Sequence, residues 1–376
     1  MVLILSATIS TGKYEEAVTI PKKDQEAVDV VAASIFISVL SSIFFAIFFF
    51  FFYKKIVRHS TEFDFWIYVV LLPIGILGIN IVNILTHWAI RKKDFGIQSK
   101  VRVAQSSAKA IFELTGGFFK MGSIILVIGT VIGMAGGMIT FSRYYLSNLR
   151  KNALEFRASF SKERLQAVFQ RFINFPKFFV LMGIINKVIN HLPIFFLTAY
   201  STIEMIGHYS IAVLAVSIPN SIVMSSILNI FYANISSKLI EEKDDVVSFF
   251  RQGVIFSSLI CLVIGLGFFL LGKPFLYLAF GSQWQAAGEI LTHYGWIILA
   301  MTWYFMALYV FKLLEKQREL LIYNFFKLLI LGGAFLFCFQ KGWDEKTTIW
   351  VFVLLFTLTT GLQLFASYRY LLSRKK

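Results

Sequence analysis

The sequence predicts an all-α fold, a polytopic transmembrane helix bundle in two lobes. Three observations predict it. The 376 residues are 57% hydrophobic, with a mean hydropathy of +0.73; soluble domains run at about 45–50%. Charged residues make up 15%, against about 25% in an average soluble chain. Apolar runs of roughly 20 residues, enough to cross a ~30 Å hydrocarbon layer, recur along the chain. The formal net charge of +15 would suggest nucleic acid as partner in a soluble protein. Here the cations cluster between apolar runs and report topology, so no nucleic acid is expected. Cys261 and Cys338 lie inside apolar runs, form no CxxC, and read as small buried hydrophobes.

The opening MVLILSATIS is too short to span and lacks a basic n-region, so it reads as the end of a helix and not as a signal peptide. A polar stretch, TGKYEEAVTIPKKDQEAVD, leads to the first full span, 30–52, which ends in FFAIFFFFF. The second span, 65–88, has Pro73 and Gly75 as kink points; Asn80, Asn83 and His87 stripe its later half. The third, 98–118, is the least hydrophobic. At 100° per residue Gln98, Arg102, Ser106, Lys109 and Glu113 fall within an arc of about 80°. The fourth, 124–141, carries Gly129, Gly133, Gly136 and Gly137, small residues that let helices approach closely.

The polar region 142–174 contains Leu165, Val168, Phe169, Phe172 and Ile173 at helical spacing, with Lys162, Arg164 and Arg171 between them. That pattern predicts an amphipathic helix suited to a membrane surface. It divides the chain into an N-terminal lobe, 1–141, a cytoplasmic linker, 142–174, and a C-terminal lobe, 175–376. The second lobe has spans at 175–200, 203–232, 247–271, 287–311, 321–339 and 347–371. With the first four this makes about ten full spans. Placing the polar N-terminal stretch in the cytoplasm puts most of the 36 Lys and Arg on that side, together with the C-terminus. Lys54, Lys55, Arg58, Lys120, Lys273, Lys341 and Lys346 fall outside; Lys109, Lys187 and Lys327 fall within spans.

No enzyme constellation emerges. The five histidines have no metal-ligand spacing, and no P-loop, GxSxG or GxGxxG sits in a strand–helix context. Neither a catalytic activity, a metal nor a cofactor is expected, and the outer loops are too short for a catalytic domain. Asp244 and Asp245, in EEKDD, read as a solvated loop. What remains is polar residues inside the bilayer. Asn186, Lys187, Asn190 and His191 sit just before Pro193. Lys187 lies about 18 Å along its helix from Phe175, where an ammonium costs roughly 2.5–3.5 kcal/mol. In the first lobe, Lys109 and Glu113 read as an i, i+4 pair, which leaves Arg102 and Lys187 without a visible acid. Asn186 and Asn190 also fit plain interhelical hydrogen bonding. Lys327 reads as a side chain that snorkels to an interface. Arg102, Lys109, Glu113, Asn186, Lys187, Asn190 and His191 together describe a cation-rich site for an anionic, polar substrate. Diphosphate suits Arg and Lys well.

Four stretches resemble a known family: TGKYEEAVTIPKKDQEA at 11–27, HWAIRKKDFGIQSKVRVAQS at 87–106, residues 175–222 with their Phe-Pro and Leu-Pro steps, and LAFGSQWQAAGEI at 278–290. They are similar, in order and spacing, to the polysaccharide-repeat (O-antigen type) flippases, lipopolysaccharide-biosynthesis membrane proteins of the multidrug/oligosaccharidyl-lipid/polysaccharide exporter superfamily. The resemblance implies twelve helices in two six-helix lobes around a central cavity. It implies an exporter that moves undecaprenyl-diphosphate-linked oligosaccharide across the bacterial plasma membrane by alternating access. Its partners would be that substrate, membrane lipids and the polysaccharide polymerase machinery. On this alignment Met1 falls inside helix two, so the chain is expected to lack one and a half helices. An in-frame extension of roughly 60–90 residues upstream would supply them. Three other readings stay open: a cation-coupled exporter of drugs or small amphiphiles, a membrane glycosyltransferase or polymerase, and a non-functional truncated fragment.

Overall fold

A long run of apolar residues with acids at its start should form a helix that begins at water and continues into lipid. The computed structural model describes residues 10–56, 67–121, 124–151, 158–223, 227–243 and 245–374. The leading MVLILSATI, residues 57–66 with Arg58, linker residues 152–157 and Asp244 lie outside them. The chain divides into two compact units, Met1–Val180 and Leu181–Lys376.

In the first unit a 3₁₀ turn, Tyr14–Thr19, precedes α1, Asp24–Ile56. Asp24 and Glu26 sit in the first turn of α1, where they oppose the positive end of the helix. Ser34, Ser38 and Ser42 are buried, and the hydroxyls of Ser34 and Ser42 donate to backbone carbonyls one turn back at 2.8 Å. Further along, Phe44 and Phe51 are 62% and 72% exposed, which suits lipid tails. A π-helical turn, Ile67–Leu71, leads into α2, Leu72–Arg91. Pro73 is the second residue of α2, where the π-helical turn gives way to the α-helix. Asp94 then caps α3, Phe95–Phe118, by accepting from the Ile97 amide at 3.4 Å.

The polar helix α3 packs against α4, Ile124–Lys151, along the glycines of α4. A Cβ at Gly133 would lie 2.9 Å from the backbone oxygen of Gln105. One at Gly129 would lie 2.8 Å from Glu113 Cγ, and one at Gly137 would lie 2.6 Å from the Gln105 side chain. The glycines are therefore what lets a polar helix sit flush against its neighbour.

Ser161 caps α5, Lys162–Arg171. Leu165, Val168 and Phe172 are buried, and the Phe169 ring lies 5.3 Å from that of Tyr14. Most of the expected apolar stripe thus meets protein, α1 and the 3₁₀ turn, while Ile173 stays 40% exposed. Its cations face the start of α1: Arg164 pairs with Asp29 at 3.3 Å and Arg171 with Glu26 at 2.6 Å.

The second unit holds α6, Val180–Tyr200, reached through a π-helical turn at Phe175–Phe179, then α7, Ile203–Val223, and α8, Asn229–Ile240. It continues with α9, Val246–Phe280, α10, Gln285–Tyr294, and α11, Ile297–Leu313. It closes with α12, Gln317–Gln340, and α13, Glu345–Ser373. The described parts of the span expected at 203–232 fall in α7, in π-helical residues 227–228 and in α8. The span expected at 287–311 is a broken pair, Ser282–Tyr294 and Ile297–Leu313, bent by 42°. Among the described residues eight helices are long and apolar enough to cross a membrane, or nine with the bent pair as one span. The third expected span, α3, has the length at 24 residues, but its polar stripe keeps it out of that set. α11 is the axis of this unit, buried along most of its length from Ile297 to Lys312, as a core helix should be. Ile189 and Leu197 of α6, Phe352 of α13 and Leu331 of α12 complete its core.

Replacing Gly133 by Leu should separate α3 from α4 and cost about 1–3 kcal/mol. Gly117→Ala, with open space around it, should be near neutral. Thermal unfolding of the purified protein in detergent measures both, and equal melting points for the two variants would contradict the close approach.

Candidate functional site

The polar residues of the spans sort into three settings. The first is structural. Asn80 of α2 is fully buried and donates to Ser10 Oγ at 2.6 Å. His87 Nε2 lies 3.5 Å from Glu16. Arg91, at the end of α2, donates to Pro21 O at 2.7 Å and to Asp24 at 3.0 Å, and Lys92 also pairs with Asp24. The α2 stripe therefore ties residues 10–24 down onto the unit.

The second setting is the α3 stripe. Lys109 Nζ and Glu113 Oε1 lie 3.7 Å apart along one helix face. Their stems rest on Gly133 and Gly129 of α4. Arg102 and Ser106 are exposed on α3, whereas Gln98 is buried. The structure thus joins Lys109 to Glu113 and leaves Arg102 presented outward, two turns before Lys109.

The third setting is in the second unit and is larger than the sequence suggested. Asn186 and Lys187 of α6 are half-buried, while Asn190 and His191 are exposed. The four do not converge. Asn186 Nδ2 donates to the Tyr304 hydroxyl of α11. The ring of Tyr304 lies 5.5 Å from Lys327 Nζ of α12. Lys327 does not snorkel: it is 2% exposed. Its ammonium donates to Thr360 Oγ1 of α13 at 3.0 Å and sits 3.3 Å from the centroid of the Phe356 ring. The Thr360 hydroxyl in turn donates to the Phe356 carbonyl, which leaves its lone pair for the ammonium. One turn before Lys327, Asn324 accepts from Gln363 Nε2 of α13 at 3.3 Å. Gln363 Oε1 is buried without a partner. No carboxylate among the described residues pairs with Lys327.

The expected snorkelling fails for a physical reason. Lys327 lies midway along α12, and aromatic faces and a hydroxyl at that depth offer the ammonium a nearer set of partners than the interface. Tyr304, Asn324, Thr360 and Gln363 escaped the sequence reading. Their signal was an i, i+3 spacing, Asn324 with Lys327 and Thr360 with Gln363, within apolar helices.

Arranged this way, the described residues offer hydrogen bonds and positive charge but no nucleophile–base pair, and no cluster of His, Cys, Asp or Glu among them could hold a metal. The fold is that of the MATE transporters. A MATE structure in the straight conformation aligns with 100% of this chain and 85% of its own, at TM-score 0.73 and 14% identity. A MATE transporter from Vibrio cholerae in the bent form gives 0.72 at 12% identity, over 100% of this chain and 86% of that one. A MOP superfamily transporter from Pyrococcus furiosus, described as having a binding pocket of reverse polarity, gives 0.74 at 13%, with the same coverage. No curated protein sequence matches this chain. The profile of the family described as "Polysaccharide biosynthesis protein" matches residues 9–289, and the chain belongs to that family.

The Lys327–Thr360 contact can be isolated by a double-mutant cycle. Thr360→Val should cost about 1–3 kcal/mol by stranding the ammonium. Lys327→Met should be neutral or stabilising, and in its background Thr360→Val should cost little. Thermal unfolding reads all four proteins. A Thr360→Val cost that is the same with and without Lys327→Met would show that the hydrogen bond is not its origin.

Proposed function

We propose that this protein is a flippase for a lipid-diphosphate-linked oligosaccharide, a repeat unit of O-antigen, capsule or exopolysaccharide, in the bacterial plasma membrane. The observation that carries this reading is the surplus of cations over carboxylates inside the helices. Arg102, Lys109, Lys187 and Lys327 are set against Glu113, and Glu113 is engaged by Lys109. The family match supplies the polysaccharide context. Arg102 of the first unit and Lys187 of the second would each offer a cation to an anionic substrate, with Lys109 held in place by Glu113. Asn190 and His191, exposed on α6, would meet sugar hydroxyls, and Asn186 would act through Tyr304. The lipid tail would stay in the bilayer, and the C-terminus would be cytoplasmic. No covalent step is needed. Transport requires that the substrate bind two conformations with different affinity. Undecaprenyl diphosphate supplies the lipid anchor, and polymerase machinery would receive the flipped unit.

The MATE fold favours one other reading, a cation-coupled exporter of drugs or small amphiphiles. Such an exporter needs a carboxylate free to take the coupling cation. Glu113 faces Lys109, and Glu289 is held by Lys273 at 3.1 Å and by Lys346.

In a strain that depends on this protein for its surface polysaccharide, Arg102→Ala and Lys187→Ala should each lower surface polysaccharide several-fold at unchanged protein level. Polysaccharide gels and immunoblots measure the two quantities. Wild-type polysaccharide in both variants would refute the site, and restored drug resistance without restored polysaccharide would favour the second reading.

A further inference from the structure

At one end of the second unit the turn between α8 and α9 meets the end of α13 around a cavity of about 310 Å³. This is one of the smaller volumes that hold small ligands. Leu239, Val246 and Leu371 form its buried floor. Lys238, Lys243 and Arg374 line it from three directions, with Glu242 as the acid among the lining residues.

The charges are unequally committed. Lys238 pairs with Asp245, and Lys243 with Glu241 at 2.6 Å. These pairs are half-exposed or more on the acid side, where ion pairs are weak and exchange partners readily. Lys238 holds the Asp245 carboxyl below the usual carboxylate range, and Glu241 raises the Lys243 ammonium. Lys243 therefore stays charged at neutral pH. Arg374 differs. One of its N–H groups reaches Leu239 O at 3.4 Å, and no carboxylate among the described residues pairs with it. The first turn of α9 adds donors. Asp245 occupies the N-cap position but makes no capping bond with its side chain, and the leading amides of a helix have no partner within it.

Beyond the cavity the surface of α9 changes character in one direction. Arg251 is exposed one turn past Val247. At 100° per residue Arg251, Ile255, Leu262 and Leu266 fall within about 60° of one another, and these three apolar residues are exposed. A basic cavity thus continues into an arginine and then into an uncovered apolar track on a helix long and apolar enough to cross the membrane. A soluble phosphate would use the cavity alone; a phospholipid would use both. We infer that this end of the second unit is a binding site for an anionic phospholipid. Its phosphate sits between Arg374, Lys238, Lys243 and the start of α9, and its tails lie along Ile255, Leu262 and Leu266. The site is independent of the transport reading and needs only that α9 spans the bilayer.

The test uses the full chain purified in detergent and native mass spectrometry with added lipid. Phosphatidylglycerol should bind the wild type more tightly than phosphatidylcholine does. Arg251→Gln with Arg374→Gln should weaken phosphatidylglycerol about fivefold per cation removed, roughly 25-fold in all, and leave phosphatidylcholine unchanged. Glycerol 3-phosphate, which has the headgroup without tails, should compete poorly. Equal binding of the two lipids by the wild type would overturn the proposal, and that comparison needs no variant. So would undiminished phosphatidylglycerol binding by the double variant. Competition by glycerol 3-phosphate at phosphatidylglycerol's own concentration would overturn it too, and would assign the cavity to a soluble phosphate instead.

Discussion

An ammonium removed from water must be given partners where it stands, and the second unit is arranged to do this for Lys327. Three helices meet at that group. α12 supplies the lysine, α13 a hydroxyl and a ring, and α11 a second ring. The same three helices make up much of the unit's core, and α11 reaches α6 through Tyr304 and Asn186. The polar contacts and the apolar packing are therefore one construction. Displacing Lys327 would disturb helices that also carry Phe352, Phe356 and Leu331.

The first unit meets the same constraint by other means. Its most polar helix, α3, carries Lys109 and Glu113 as a neutralising pair. Its packing depends on glycines of α4 that leave room for those stems. Here the polar side chains rest at the edge of a tight backbone contact and are not enclosed. The outcome is a half-exposed pair and an exposed Arg102 in one unit, and a sealed lysine in the other. A charge at an exposed edge can meet a ligand without rearrangement. A sealed charge can do so only if its helices move.

Much of this was legible in sequence because hydropathy and helical period are local properties. Most of the spans, the α3 stripe, the glycine run of α4 and the Lys109–Glu113 pair all follow from spacing along one helix. What was not legible depended on which helices become neighbours. The amphipathic stripe of α5 looked like a membrane-surface helix, because sequence cannot say whether an apolar face meets lipid or protein. Tyr14 and the start of α1 cover Leu165, Val168 and Phe172, and Ile173 stays exposed. Asn80 and His87 formed only a polar stripe along one helix until Ser10 and Glu16 were placed beside them. Lys327 looked free to snorkel because Phe356 and Thr360 are distant in sequence. The bend before Ile297 was missed because continuous hydropathy hides a change of direction.

The charge balance also bears on what a substrate would have to provide. The carboxylates of Glu113 and Glu289 each have a cation beside them, Lys109 for the first and Lys273 with Lys346 for the second. Lys327 has rings and a hydroxyl in place of an acid. Ring faces and hydroxyls offset part of the desolvation of an ammonium, but less completely than a carboxylate at contact. A helix bundle that needed only stability would be as well served by methionine at that position. Rings and a hydroxyl in place of an acid therefore hold Lys327 at some cost to stability. A carboxylate beside Lys327 would offset that desolvation more fully, and a second cation there would add repulsion.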